Sequence, residues 1–295
     1  MFKSVQDIID QSAESGLPVS TLMIQAEAAA QEKTEEEVIG AMAASWQVMK
    51  AAAGRGIKGV NSHSGMTGGD ARLLMDYIKK GQGLTDGTFL RALAYALASN
   101  EVNAAMGLIC ATPTAGSCGV LPGTLLAAQE KLGKSDEEMV RALFCAGAMG
   151  LIIANNAVIS GAAGGCQAEV GTAAAMAAAA MVELMGGSAE QSAQALAMAL
   201  KNLLGLVCDP LAGLVEVPCI KRNAGGAAVA LAAAEMALAG IRSQVPPDEV
   251  IQAMYQVGLS MPLALRETAQ GGLAATPTGQ RWKQLLWQGP ETAGE

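Results

Sequence analysis

The sequence predicts an all-α fold. Paired helix-start signals recur along the chain, apolar residues between them repeat at helical spacing, and few β-branched runs alternate as a sheet requires. Ser4 with Asp7 opens the first helix. Thr34 with Glu37, Ser135 with Glu138, and Ser188 with Gln191 fit the capping box, in which each side chain satisfies the other's free backbone donor. Cys166 precedes a helix over 168–184. After Ser188, the residues Leu196, Leu200, Leu203 and Leu204 keep helical spacing. Pro246 and Pro247 suit the first turn of a helix over 248–257. The pattern gives roughly a dozen helices. Glycine-bearing linkers near 54–69 and 81–87 set N-terminal helices, about 1–53, against a core over about 60–280. No long disordered spacer intervenes, so 1–295 reads as a single domain.

Composition narrows the function. Apolar residues make up 51% of the chain but aromatics only 3%, so alanine, glycine and methionine must fill the interior and helices must pack closely. A formal charge of −8, with no dense basic patch, argues against a nucleic-acid partner. Residues 102–129 and 142–168 carry no charge and are long enough to span a bilayer. Yet Pro113, Pro122, Asn155, Asn156 and several glycines break them, and no aromatic belt flanks them, so no membrane insertion is expected. The N-terminus is charged and amphipathic, unlike a signal peptide. Six cysteines in so long a chain do not suggest a disulfide framework, and a reducing cytoplasm is expected.

Polar, glycine-rich loops interrupt the helical pattern at 61–70, 112–119, 155–167, 208–223 and 266–279. Irregular backbone is costly to bury unless it finds partners, so these loops are expected to converge on one pocket; five unrelated surface turns are the alternative. Three cysteines lie in them: Cys166, Cys208 and Cys219. Thiolates are soft ligands for zinc or iron–sulfur clusters, and three rather than four would leave one metal position open. Spacing alone is weak, since no compact cysteine pair is present and free cysteines are commonly buried as small apolar residues. Cys110 and Cys145, in apolar stretches expected to be helical, fit that plain reading.

The loop residues carry a likeness. The segments Asn-Glu-Val-Asn-Ala-Ala at 100–105, Thr-Pro-Thr-Ala-Gly-Ser-Cys-Gly at 112–119 and Ile-Ser-Gly-Ala-Ala-Gly-Gly-Cys-Gln-Ala-Glu-Val-Gly at 159–171 begin it. Gly-Leu-Val-Cys-Asp-Pro at 205–210, Val-Pro-Cys-Ile-Lys-Arg-Asn-Ala at 217–224, Arg-Glu-Thr at 266–268 and Gly-Gly-Leu-Ala at 271–274 complete it. In this order the chain resembles the α subunit of bacterial iron–sulfur-dependent L-serine dehydratases, also called L-serine deaminases. The resemblance implies a compact multi-helix catalytic domain whose loops converge on a metal-cluster pocket. It implies a [4Fe-4S] cluster held by Cys166, Cys208 and Cys219, one iron free for L-serine, and no pyridoxal phosphate. It also implies a separate β subunit. Single-chain relatives can place a C-terminal cysteine on the free iron, and this chain ends in Glu-Thr-Ala-Gly-Glu instead.

The chemistry so implied is coherent. Serine's hydroxyl is a poor leaving group, which a Lewis-acidic iron can activate. A base removes the α-proton, and elimination gives aminoacrylate, then pyruvate and ammonia. Helix N-termini and glycine-rich backbone can hold the substrate carboxylate, and a thiolate-bound cluster suits the positive end of the helix after Cys166. His63, the one histidine, can act as the base; a structural or surface histidine is the plainer reading, and the β subunit is another source. Lys201 is a second candidate base. Lys201, Lys221 and Arg222 can hold the carboxylate or form surface ion pairs. Asn155, Asn156 and Asn223 can bond substrate or cluster sulfides, Asp209 can orient a ligand loop, and Thr112, Thr114, Ser117 and Cys118 line the pocket. Three other readings stay open: a cluster-dependent cysteine desulfidase-like lyase, a pyridoxal phosphate enzyme with 161–165 as a phosphate loop, and a non-catalytic cluster-binding helical scaffold. Missing strands count against the pyridoxal phosphate reading.

Overall fold

The computed structural model describes residues 2–287, so the tail at 291–295, read above for its missing cysteine, lies outside the described residues. Among the described residues the fold is all-α, with thirteen α-helices and no strand. Helix α1 (Val5–Ser15) starts where Ser4 Oγ accepts the Asp7 N–H at 3.0 Å. Helices α2 (Val19–Gln31) and α3 (Glu35–Gly56) follow, the latter opened by the reciprocal Thr34–Glu37 box. Next come α4 (Asp70–Lys79), α5 (Gly87–Ala104) and α6 (Val120–Leu132). The Ser135–Glu138 box opens α7 (Asp136–Asn156), which leads through α8 (Gly161–Gly164) to α9 (Thr172–Leu184). The Ser188–Gln191 box opens α10 (Ala189–Lys201). Helices α11 (Cys219–Leu238), α12 (Pro247–Ser260) and α13 (Pro277–Trp287) complete the described chain.

Helix α9 is the axis of the molecule. Eleven of its thirteen residues are buried, which marks a helix covered all round rather than on one stripe. It packs on α6, α7, α10 and α11. Seven of the buried residues are alanines, so four neighbours can approach one axis at once. Helices α1 to α3 lie outside this centre: α2 rests on α7, α3 on α5 and α7, and α1 on α10 and α12. Asp248, in the first turn of α12, accepts the Val5 and Gln6 N–H groups at 2.8 and 3.0 Å and so caps α1 from across the fold. Asp136 accepts from Trp46, Gln47 and Lys50 and locks α3 to the start of α7; the Lys50 bond holds its carboxyl well below the usual range. No helix among the described residues is long and apolar enough to cross a membrane.

Three local expectations need correction. The linker expected near 54–69 starts later, because α3 continues through Gly56. Gly56 abuts α5 so closely that a Cβ there would lie 2.3 Å from Ala98 O, and this close approach makes glycine a helix residue here rather than a breaker. Cys110 is not helical: α5 ends at Ala104, and the half-buried thiol meets Ser45 O at 3.4 Å. Leu203 and Leu204 lie beyond the end of α10, while Leu196 and Leu200 are buried within it.

Candidate functional site

All five polar loops meet through hydrogen bonds. The first contact is made by the segment before α9. Gly165 takes φ 75°, which L side chains rarely adopt, and turns the chain into Cys166. Residues Gln167–Gly171 then form one π-helical turn, a widened geometry often found where helices carry function. Cys166 and Glu169, three positions apart, share one face. Gln167 fixes this turn on both sides: its Nε2 donates to Met254 O at 3.0 Å and its Oε1 accepts from Gly205 N–H at 2.9 Å.

Cys208 is positioned by backbone. Its N–H donates to Leu265 O at 2.8 Å, and Glu267 N–H donates to Cys208 O at 2.7 Å. This isolated bridge brings Glu267 beside the thiols, with Glu267 in the left-handed region at φ 62°. Cys219 is the first residue of α11, where helix polarity favours a thiolate. The loop at 112–119 closes the other side. Thr114 Oγ1 donates to Glu169 Oε1 at 2.6 Å, and Ser117 Oγ donates to Thr112 O at 3.1 Å. Asn223, fully buried, accepts from Gly119 N–H and donates to both Gly116 O and Cys219 O, each at 2.8 Å. Loop 61–70 docks on Glu216, whose carboxylate accepts from Ser64 and Thr67 at 2.7 and 3.0 Å.

The sulfurs of Cys166 and Cys208 and a carboxylate oxygen of Glu169 lie within 4.8 Å of one another, all buried. Cys208 Sγ stands 3.9 Å from Glu169 Oε2. Cys219 is buried but lies outside this trio. Arg222 binds the group together: Nη1 donates to Val207 O at 2.6 Å and reaches Cys166 Sγ at 3.5 Å, while Nη2 pairs with Asp209 at 2.8 Å. Asp209 in turn accepts the Leu273 N–H at 2.7 Å, which ties in the fifth loop.

Electrostatics separates the thiols. The Cys208 thiol donating to it and the Arg222 charge beside it hold the Cys166 pKa below the ordinary thiol value; Cys208 is driven up in return. Burial pushes Cys219 up, and burial followed by the Glu267 charge pushes Glu169 up. A Cβ on Gly161 would sit 2.6 Å from Glu169 Oε2, 2.9 Å from Cys208 Sγ and 3.1 Å from Glu267 Oε2. Sulfur and two carboxylates thus converge where a side chain is missing. Such a set of soft and anionic donors in a buried cradle fits a cationic metal group.

The other expected residues fall in different places. Cys118 is buried against Asn100, with Nδ2–Sγ at 3.4 Å, and burial raises its pKa to about 12; it is outside the trio. Thr112 is buried and its hydroxyl has no partner among the described residues. His63 is exposed on the loop that docks on Glu216 and makes no hydrogen bond among the described residues. Lys201 is exposed at the end of α10, its ammonium 3.3 Å from Ser243 Oγ. Asn155 and Asn156 are exposed, and Asn156 donates to Lys3 O and Ile152 O instead. Lys221 pairs with Asp70. A cleft of about 400 Å³ bounded by Ile9, Leu17, Glu183 and Glu190 contains no thiol, so open volume and chemistry do not coincide. Sequence reasoning missed Glu169 and Glu267 as site residues; the signal available for Glu169 was its place three positions after Cys166 in a polar stretch.

An all-α body whose loops gather buried cysteines and a buried carboxylate, with an arginine beside them, defines a class of protein with a group able to hold a metal ion. Residues 14–274 match the family described as serine dehydratase alpha chain, and the chain belongs to that family, one of enzymes. It is 58% identical over 289 residues to a probable L-serine dehydratase alpha chain of Bacillus subtilis, covering 98% of this chain and 96% of the relative. It is 42% identical to the L-serine dehydratase alpha chain of Peptoniphilus asaccharolyticus, with 95% of this chain and 97% of that one covered. L-serine dehydratase 1 of Escherichia coli is 39% identical over 92% of this chain, which corresponds to 61% of the longer relative.

Proposed function

We propose that this chain is the α subunit of an iron–sulfur-dependent L-serine dehydratase, acting in the cytoplasm with a separate β subunit. The reaction is β-elimination of water from L-serine to aminoacrylate, followed by tautomerisation and hydrolysis to pyruvate and ammonia. The observation that carries this reading is the meeting of buried Cys166, Cys208 and Glu169 where polar loops are tied together by hydrogen bonds, with Cys219 at the head of α11. Cys166, Cys208 and Cys219 would hold a [4Fe-4S] cluster. Cys219 is buried outside the tight trio and would supply the third thiolate from the first turn of α11. When bound, the cluster would supply a Lewis-acidic iron to polarise the serine hydroxyl.

The chain's own residues do the rest. Arg222 balances thiolate charge and fixes the two cysteine loops relative to each other. Thr112, Thr114, Ser117 and the backbone of their loop, with Asn223 behind them, shape the wall of the pocket. His63 is kept as the proton acceptor to test first, because its loop rests on the segment between Cys208 and Cys219 through Glu216. Lys201 faces Ser243 and has no such link. Exposed Leu263 and Leu273, on the segment that carries Glu267, support partner cover on this side. Covering the site would exclude water and strengthen its electrostatics.

The test is pyruvate release from L-serine by the full chain, purified without oxygen and loaded with iron and sulfide, with and without the β subunit. Turnover that needs the loaded chain and decays in air is expected. A fully loaded complex that makes no pyruvate from L-serine overturns the function.

A further inference from the structure

We propose that Glu169 is a fourth protein ligand at this centre, its carboxylate supplying an oxygen donor to the iron that the three thiolates leave open. The inference rests on the proposed function and adds a ligand to it. Four observations converge. Glu169 lies within 4.8 Å of both thiol sulfurs of the trio, with Oε2 directed toward Cys208. Its side chain is buried, yet among the described residues no lysine, arginine or histidine pairs with it. Glu267 Oε2 approaches the same empty point beside Gly161, so a second carboxylate faces the first without a cation between them. A buried carboxylate without a cation is costly, and it is relieved either by taking up a proton or by coordinating a metal; the thiols beside Glu169 supply the other donors a metal would need. Thr114 Oγ1 holds Oε1 at 2.6 Å, which leaves Oε2 aimed at the sulfurs, as supporting bonds do for metal-binding carboxylates.

The widened turn at Gln167–Gly171 adds the local reason. It sets Glu169 on the Cys166 face while α9 continues regularly beyond it. The donor type also matters. Oxygen is a poorer partner than thiolate for a soft site, so a carboxylate retains the iron yet leaves its position exchangeable for substrate.

The experiment uses the full chain, reconstituted without oxygen from ⁵⁷Fe and sulfide, as wild type and as Glu169→Gln. Iron release to a ferrous chelator and the Mössbauer spectrum are read for both. The variant should keep its thiolate-bound irons and lose one iron per cluster about tenfold faster or more, the scale on which even a ligand's supporting bond matters. The three-iron species left by loss of ferrous iron should appear by electron paramagnetic resonance once it is oxidised by one electron with ferricyanide. Wild type labelled with ¹³C at the glutamate carboxyl gives a reading that needs no variant: a carboxyl carbon coupled to the reduced cluster, lost when L-serine is added. Equal release rates and spectra, or no coupled carbon, overturn Glu169 as a ligand while the cluster reading stands. A wild-type chain that takes up no cluster overturns the proposed function, and this inference with it.

Discussion

Replacing Arg222 by methionine should cost about 3–5 kcal/mol of folding stability, because it leaves Asp209 buried without its cation. The two side chains meet at 2.8 Å, and that of Asp209 is only 4% exposed. Asp209 cannot turn to solvent, since its other oxygen is held by Leu273 N–H at 2.7 Å. Methionine preserves the packing of the aliphatic stem, so the loss reports the charge, the bond to Val207 O and the contact with Cys166 Sγ. The assay is urea unfolding of the metal-free chain at pH 7, followed by far-ultraviolet circular dichroism. Asp209→Asn and the double variant complete a cycle. Removing the stranded charge should recover part of the loss, with a coupling between the sites of about 2 kcal/mol or more. A loss below about 1 kcal/mol for the single variant, or strict additivity in the cycle, would mean that the pair is solvated like a surface bridge and does not organise the loops.

Three further outcomes follow from the geometry. Gly161→Ala puts a methyl group 2.6 Å from Glu169 Oε2, so iron affinity should fall about tenfold or more while the helical dichroism is kept; unchanged iron uptake would show that the cradle is not used. Asn223→Ala strands the buried Gly119 N–H and removes one donor each from Gly116 O and Cys219 O, and denaturation should show a loss of about 1–3 kcal/mol; a loss under about 0.5 kcal/mol would contradict the bridging role. Burial raises the Glu101 pKa to about 7, so the folded chain holds that proton more tightly than the unfolded chain, and stability falls as pH rises from about 4.5 to about 7. Unfolding of Glu101→Gln across that window should show a flatter profile than wild type, and identical slopes would refute the titration.

Helix starts are legible in this sequence because their signals are local. Ser135 and Glu138 find each other three residues apart whatever the tertiary fold does. The helix ends are harder. Gly56 looks like a breaker, and only the opposing backbone of Ala98 explains why α3 runs through it. Gathering of the polar loops is legible as a cost argument: irregular backbone in an apolar body has to find partners. Which side chains meet there is not. Glu169 reaches Cys208, a thiol 39 positions away in the sequence, only because the fold brings the two segments together, and Glu267 stands there because a two-residue bridge aligns it with Cys208. Neither feature has a composition signal. Asn155 and Asn156 carry the same polarity as Asn223, yet the end of α7 turns them toward solvent and Lys3 while α11 turns Asn223 inward.

Iron and sulfide content decides whether the buried thiols hold the centre on which the function depends. The full chain and its Cys166→Ser, Cys208→Ser and Cys219→Ser variants are loaded side by side without oxygen, together with Cys145→Ser, whose thiol is buried in the middle of α7 away from the trio. Wild type and Cys145→Ser should bind about four irons and four sulfides per chain and show the broad brown absorption of a cluster, and the other three variants should lose both iron and colour. Retention of the full iron complement in all three variants would contradict the assignment of Cys166, Cys208 and Cys219 as its ligands.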